Sequence, residues 1–251
     1  MLGYCARLEI ERRRTKTMGF ARFNERLRER AGDVRARAVT YVAMGDSVTQ
    51  GCMAIGVSEY ENIYHQVLKR GLERRYPETV INVINSGVNG DQAEGSRSRW
   101  ERDVLMYKPD LVTICFGHND AHGRQGGLQP FVQALDDLVA RVRSETDAEL
   151  LLMTPCMMTN RDNDAVAEAH KPLIPDFVSL AEDGILQLYA NAVRELAAKL
   201  NVPLLDVYGM WEQMVREGVD IVALLSNGIN HPNPSFHVQW GRALEEKLCG
   251  E

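Results

Sequence analysis

No C-x-x-C pair occurs anywhere in the chain, and its five cysteines (Cys5, Cys52, Cys115, Cys156, Cys249) are odd in number and widely spaced. That pattern excludes a disulfide framework and a thiolate zinc site and points to reduced intracellular thiols. No apolar run approaches about 18 residues, so no membrane span is expected. The short apolar core of a secretory signal is also missing at the N-terminus, which gives a cytoplasmic expectation. Internal repeats, low-complexity tracts and linkers are absent too. No spacing of His, Asp and Glu suggests a metal site. Nor is charge evenly spread. Residues 1–38 carry eleven Lys/Arg against five Asp/Glu, net +6; with −6 over the whole chain, residues 39–251 carry −12. An acidic body argues against nucleic acid as a partner.

What remains is an ordinary globular composition, 45% apolar and 25% charged over 251 residues, enough for one sizeable α/β domain. Residues 1–38 read as a basic N-terminal region: a patternless arm over 1–17, then a short helix from Phe20 to about Arg30. Phe23 and Leu27, four apart among arginines, would seat that helix on the acidic body. From residue 39 onward, apolar strand-like runs alternate with helical patterns. Strands are expected at Val39 to Met44, Val80 to Ile84, Leu111 to Phe116, Glu149 to Met153 and Pro203 to Val207. Helices are expected over about 59–75, 93–107, 130–144, 177–199 and 235–248, with a short one around Trp211. Such alternation implies a single parallel sheet covered on both faces. Residues 154–176 form a connection longer than most loops, a candidate lid or pocket wall.

Three loops follow three successive strands, and each holds a polar cluster. In a parallel sheet they emerge at one edge, where open α/β sheets bind ligands. Acyl transfer needs a nucleophile, a base and donors aimed at the developing oxyanion. Ser47 follows the first strand after Gly45 and Asp46, and its hydroxyl could attack. Gly90 could offer its N–H where substrate approaches the chain closely, and Asn119 its side-chain amide. Of six histidines, His231 is the best base, because it precedes Pro232 in a loop before the final helix, whereas His237 falls within that helix. Cys52 lacks a neighbouring base, Tyr60 and Tyr64 are candidates to line the pocket, and Met153 to Met158 could wall an apolar one.

These blocks resemble those of the SGNH (GDSL-type) hydrolase family: Gly45-Asp46-Ser47-Val48-Thr49-Gln50-Gly51, then Asn85-Ser86-Gly87-Val88-Asn89-Gly90-Asp91, then Gly117-His118-Asn119-Asp120, and last His231-Pro232-Asn233. They occur in family order over residues 39–248. The resemblance implies a three-layer α/β/α flavodoxin-like fold with a five-stranded parallel sheet over residues 39–251, cleaving esters or thioesters without metal or cofactor. It implies Ser47 as nucleophile and oxyanion donor, Gly90 and Asn119 as further donors, and His231 as general base. One position departs. Where the family usually has Asp three residues before the catalytic His, this chain has Gly228. Asn227, Asn230, a main-chain carbonyl, or Asp206 or Asp220 from elsewhere are the candidates to orient the imidazole. The expectation is a serine esterase acting on a small-molecule ester, acetyl or short-chain, with carbohydrate-linked esters among the candidates, through a Ser–His dyad. A thioesterase or lysophospholipase of the same fold is one alternative; a weakened ligand-binding module lacking the triad Asp is another. No heptad or long apolar stripe announces an oligomer.

Overall fold

Val39 to Gly45, a β-branched and apolar run, is buried at every position and forms the central strand β1. Only a strand paired on both edges and covered on both faces has use for such a run. In the computed structural model, which describes residues 20–250, β1 pairs in parallel with β2 (Ile81–Gly87) on one side and β3 (Leu111–Cys115) on the other. Strand β4 (Glu149–Met153) extends the sheet beyond β3, and β5 (Leu204–Leu205) closes it, giving the order β2-β1-β3-β4-β5. The strand order reverses between β1 and β3, so the loops after these strands flank a crevice at their carboxyl ends.

Successive side chains point to opposite faces of the sheet. Val42, Met44, Val112, Ile114, Leu150 and Leu152 face one layer, built mainly from α5 (Arg124–Glu145) and α7 (Ile185–Leu200). Tyr41, Ala43, Leu111, Leu151 and Met153 face the other. Its helices are α1 (Ala21–Gly32), α3 (Tyr64–Arg75), α8 (Val207–Arg216) and α9 (Pro234–Cys249). The result is the expected α/β/α sandwich around a five-stranded all-parallel sheet. Helix α1 belongs to this body: Phe23 and Leu27 are fully buried, and the Asn24 amide donates to Leu248 O across 2.7 Å. The arm over 1–17 lies outside the described residues.

Several boundaries differ from the sequence expectation. β2 runs on through Gly87 because Asn85 and Ser86 keep their pairing with β1. β5 shrinks to two residues, since Asp206 leaves the strand to cap α8, accepting from Gly209 N. The expected helix over 93–107 is broken into two 3-10 turns around one α turn, Trp100–Asp103, here α4. Helix α5 begins at Arg124, six residues before Pro130. The helix expected over 177–199 divides into α6 (Ile174–Glu182) and α7, separated at Gly184. Two short helical pieces, α2 (Ser47–Gln50) and the 3-10 turn Glu168–Leu173, complete the frame of the site. Among the described residues no helix is long and apolar enough to cross a membrane.

Under the site, His65 and His237 are buried with Tyr64 and Trp240, and His237 lies parallel to the Trp240 ring, centroids 5.8 Å apart. Burial pushes His65 down to about 4 and His237 to about 3. An unfolded histidine titrates near 6.5, so below that pH the unfolded chain takes up protons that the native state refuses. Their contribution is complete above pH 6.5 and drains away as pH falls toward the folded values. Urea unfolding should therefore show stability falling by a few kcal/mol between pH 7 and pH 4, with a shallower fall in His237→Phe. An equal slope in that variant would contradict this account.

Candidate active site

Two hydrogen bonds bring the first two blocks together. The Val88 N–H donates to Gly45 O at 3.1 Å, and Asn89 N–H to the Gln50 side chain at 2.6 Å. Asp46 caps the turn, accepting from Val48 N at 2.9 Å, and leaves Ser47 at the end of β1, 2% exposed. Gly90 has φ +78°, a backbone that disfavours any side chain, at the tip of the loop after β2. The third block sits on the loop after β3. Asn119 Nδ2 donates to Asp91 O at 2.8 Å, which consumes one of its two amide hydrogens and fixes the side chain. Asp120 accepts from Ala93 N at 2.9 Å, tying the second and third loops together. Burial pushes its carboxyl up to about 7.

The last block arrives on a small hairpin. Leu225 bridges Pro232, and Ser226 N–H donates to His231 O at 2.7 Å. His231 Nε2 lies 3.0 Å from Ser47 Oγ, although 184 residues separate the two. Its Nδ1 lies 2.7 Å from the main-chain oxygen of Met53. That geometry sets the tautomer: Nδ1 carries the proton and donates to the carbonyl, and Nε2 presents its lone pair to the serine hydroxyl. The carbonyl is itself held by a tight turn, with Met53 N–H to Val57 O and Glu59 N–H to Gly51 O. Burial lowers the His231 pKa, opposed in part by the Met53 contact and the Asp46 carboxylate, so the ring is neutral at pH 7.

The candidate orienting residues are occupied otherwise. Asn227 Oδ1 accepts three main-chain N–H groups, from Ile229, Asn230 and His231, and so shapes the hairpin without touching the ring. Asn230 Oδ1 accepts from Asn227. Asp206 pairs with Arg194, and Asp220 with Arg161. Gly228 has φ +69°, and a Cβ there would meet Asn163 Oδ1 at 2.5 Å. The position where the family usually has Asp is thus bent into the left-handed region and filled from the long connection. The Met53 carbonyl went unnamed in the sequence because a backbone acceptor has no residue-type signature.

Ser47, Asn119 and His231 line one cleft of about 500 Å³, with Asn89 beside Gly90. His170, Leu173 and Phe177 line it as well, so the long connection is a pocket wall. Cys52 also faces it, but burial and then Asp46 push its thiol up, away from the thiolate. Tyr60 and Tyr64 are not among the lining residues: Tyr60 is exposed, and Tyr64 is buried with its hydroxyl on Thr49. Met157 and Met158 wall a separate cavity of about 210 Å³. His118 is buried, its Nε2 2.8 Å from Cys156 O, and props the third loop from behind. Among the described residues no cluster of three or more His, Cys, Asp or Glu could hold a metal.

Since the loop closes at Gly228, restoring the family's Asp should not restore a triad. Gly228→Asp should lower ester hydrolysis several-fold and reduce the thermal midpoint, because the left-handed backbone alone costs ~1–2 kcal/mol before the clash. Steady-state kinetics and a melting curve test this, and a kcat above that of the parent would refute it.

The pattern of GDSL-like lipases and acylhydrolases matches residues 43–238. An acetylxylan esterase of Geobacillus stearothermophilus is 28% identical over 187 residues, 70% of this chain and 76% of that protein. Its crystal structure, that of Axe2, superposes with a TM-score of 0.63 at 22% identity, covering 84% of this chain and 94% of the other. A lipase/acylhydrolase of Enterococcus faecalis gives 0.64 at 24% identity, over 84% and 96% of the two chains. Three further structures of Axe2 are catalytic mutants, in which a serine, a histidine or an aspartate is replaced by alanine. The chain belongs to the GDSL-like lipase/acylhydrolase family and is a carboxylic ester hydrolase.

Proposed function

We propose that this acylhydrolase is a serine esterase that removes acetyl or other short acyl groups from a neutral alcohol, a sugar hydroxyl being the leading example. The 3.0 Å approach of His231 Nε2 to Ser47 Oγ carries the reading. Ser47 Oγ attacks the acyl carbon as Nε2 takes its proton. The oxyanion faces the N–H groups of Ser47 and Gly90 and the second amide hydrogen of Asn119. Collapse expels the alcohol, which receives the proton from His231. Water, activated by the same ring, then releases the acid from acyl-Ser47. During both transfers the imidazolium keeps its Nδ1–H on the Met53 carbonyl. A dipole there holds the tautomer but stabilises the cation less than a carboxylate would.

The cleft's lining supports a neutral substrate. Among the described residues that form it there is no Lys, Arg, Asp or Glu; the polar groups are chiefly amides, from Asn89, Asn119, Asn227 and Asn230. Phosphate-bearing thioesters and lysophospholipids would leave their charge unpaired there. The likeness to an acetylxylan esterase supports the same choice. Ile55, Val57 and Leu173, all half-exposed at the cleft, favour a second reading in which a longer acyl chain lies across this lip.

Ser47→Ala and His231→Ala should each lose hydrolysis of p-nitrophenyl acetate by ~10³-fold or more. A fluorophosphonate probe should label the parent and neither variant; labelling of Ser47→Ala would sink the mechanism. Because the His231 pKa is depressed, the base is available at lower pH than for a free histidine. The acid limb of kcat/KM should have its midpoint below 6.5 and be flat through neutrality, and a midpoint above 7 would contradict the environment described. In a substrate panel, acetyl xylo-oligosaccharides and C2 to C4 esters should outpace C8 esters, acyl-CoA and lysophospholipid. Preference for C8 would transfer the assignment to the second reading.

A further inference from the structure

Resting on the esterase reading above, we propose that Arg99 is a positioning residue of the reaction: its buried guanidinium sets the mutual spacing of the three oxyanion donors. Arg99 lies on the 3-10 turn Gly95–Arg99, after the second block, with its side chain 8% exposed. Nη2 donates to Gly45 O at 3.0 Å, two residues before Ser47. Nη1 donates to Ser86 O at 2.8 Å, at the end of β2. Nε donates to Asp91 Oδ2 at 2.7 Å, and Nη2 lies 2.6 Å from the same oxygen. Asp91 directly follows Gly90, and its main-chain oxygen receives the Asn119 amide. One planar group therefore grips the nucleophile turn and the Gly90 loop, and through Asp91 it reaches Asn119.

The geometry needs a guanidinium. Two main-chain carbonyls and a carboxylate are bonded by the three different nitrogens of one group, which a fork of five donors can do and an ammonium with a single nitrogen cannot. The pairing is also directional in function. Arg99 has a second carboxylate partner, Asp103 Oδ2 at 3.3 Å, which sits on α4 and bonds none of the three donor segments through its carboxylate. A structural anchor would use Asp91 and Asp103 alike; a positioning device depends on Asp91.

That difference supplies the test. Asp91→Asn, Asp103→Asn and Arg99→Lys are compared for kcat and KM on p-nitrophenyl acetate. The second readout is inhibition by a trifluoromethyl ketone, which adds to the serine and places an oxyanion in the hole. Asp91→Asn should lower kcat about 10-fold or more, part of the ~10²–10³ that loss of a whole oxyanion donor costs, with KM within about 3-fold of the parent. Ketone affinity should fall by the same factor as kcat. Asp103→Asn should keep both at the parent level, and Arg99→Lys should follow Asp91→Asn. If Arg99→Lys does not fold, the two Asp variants decide. Parental kcat and ketone affinity in Asp91→Asn, or equal losses in Asp103→Asn, would overturn the proposal. A parent enzyme without ester hydrolysis would instead remove the reading on which it rests.

Discussion

A peptide oxygen, that of Met53, holds the imidazole on which the proposed chemistry turns. Everything near the site can be ordered by how it serves that contact. The turn over residues 52–58 exists to aim the carbonyl, and the hairpin from Leu225 to Pro232 exists to bring the ring to it. Asn227, with three main-chain N–H groups on a single oxygen, keeps the hairpin from opening. The sheet does the rest, since parallel strands deliver the other three loops to one edge without further instruction.

Replacing a carboxylate by a carbonyl exchanges a charge for a dipole. The charge would stabilise the imidazolium more strongly, but burying it carries a desolvation cost unless it is fully hydrogen-bonded. The carbonyl carries no such cost, because its turn is already built. Among the described residues, the carboxylate that raises the His231 pKa is that of Asp46, and it acts against a larger opposing effect of burial. The protein thus favours a neutral base over a stabilised cation, a balance suited to a reaction in which the proton is held only briefly.

Much of this was legible in the residues alone. The strand runs from Val39, Leu111 and Glu149 fell where the structure has them, since a buried parallel strand must be apolar throughout. Ser47 and His231 could be singled out because their loops carry turn chemistry at the ends of strands or before a helix. Asn227 was legible as a nearby amide but not in its bonding, because nothing in a sequence says whether a side chain faces a ring or its own backbone. Arg99 was hidden for a related reason: one arginine among many, in a segment that reads as a plain helix until its bonds break the helix into turns. The short β5 reflects a local cap, with Asp206 taken up by the start of α8 instead of the strand.

The source of the orienting oxygen has a consequence for how this enzyme can drift. Every amino acid supplies a main-chain oxygen, so position 53 is constrained by its buried side chain, its contact with the Ser226 hydroxyl and its N–H bond to Val57, and not by the acceptor itself. Selection on the base is then transferred from a residue to a shape, spread over the loop that presents it. On the proposed mechanism, mutational scanning would mark the side chains of Ser47 and His231 and leave the peptide oxygen between them and the turn unseen.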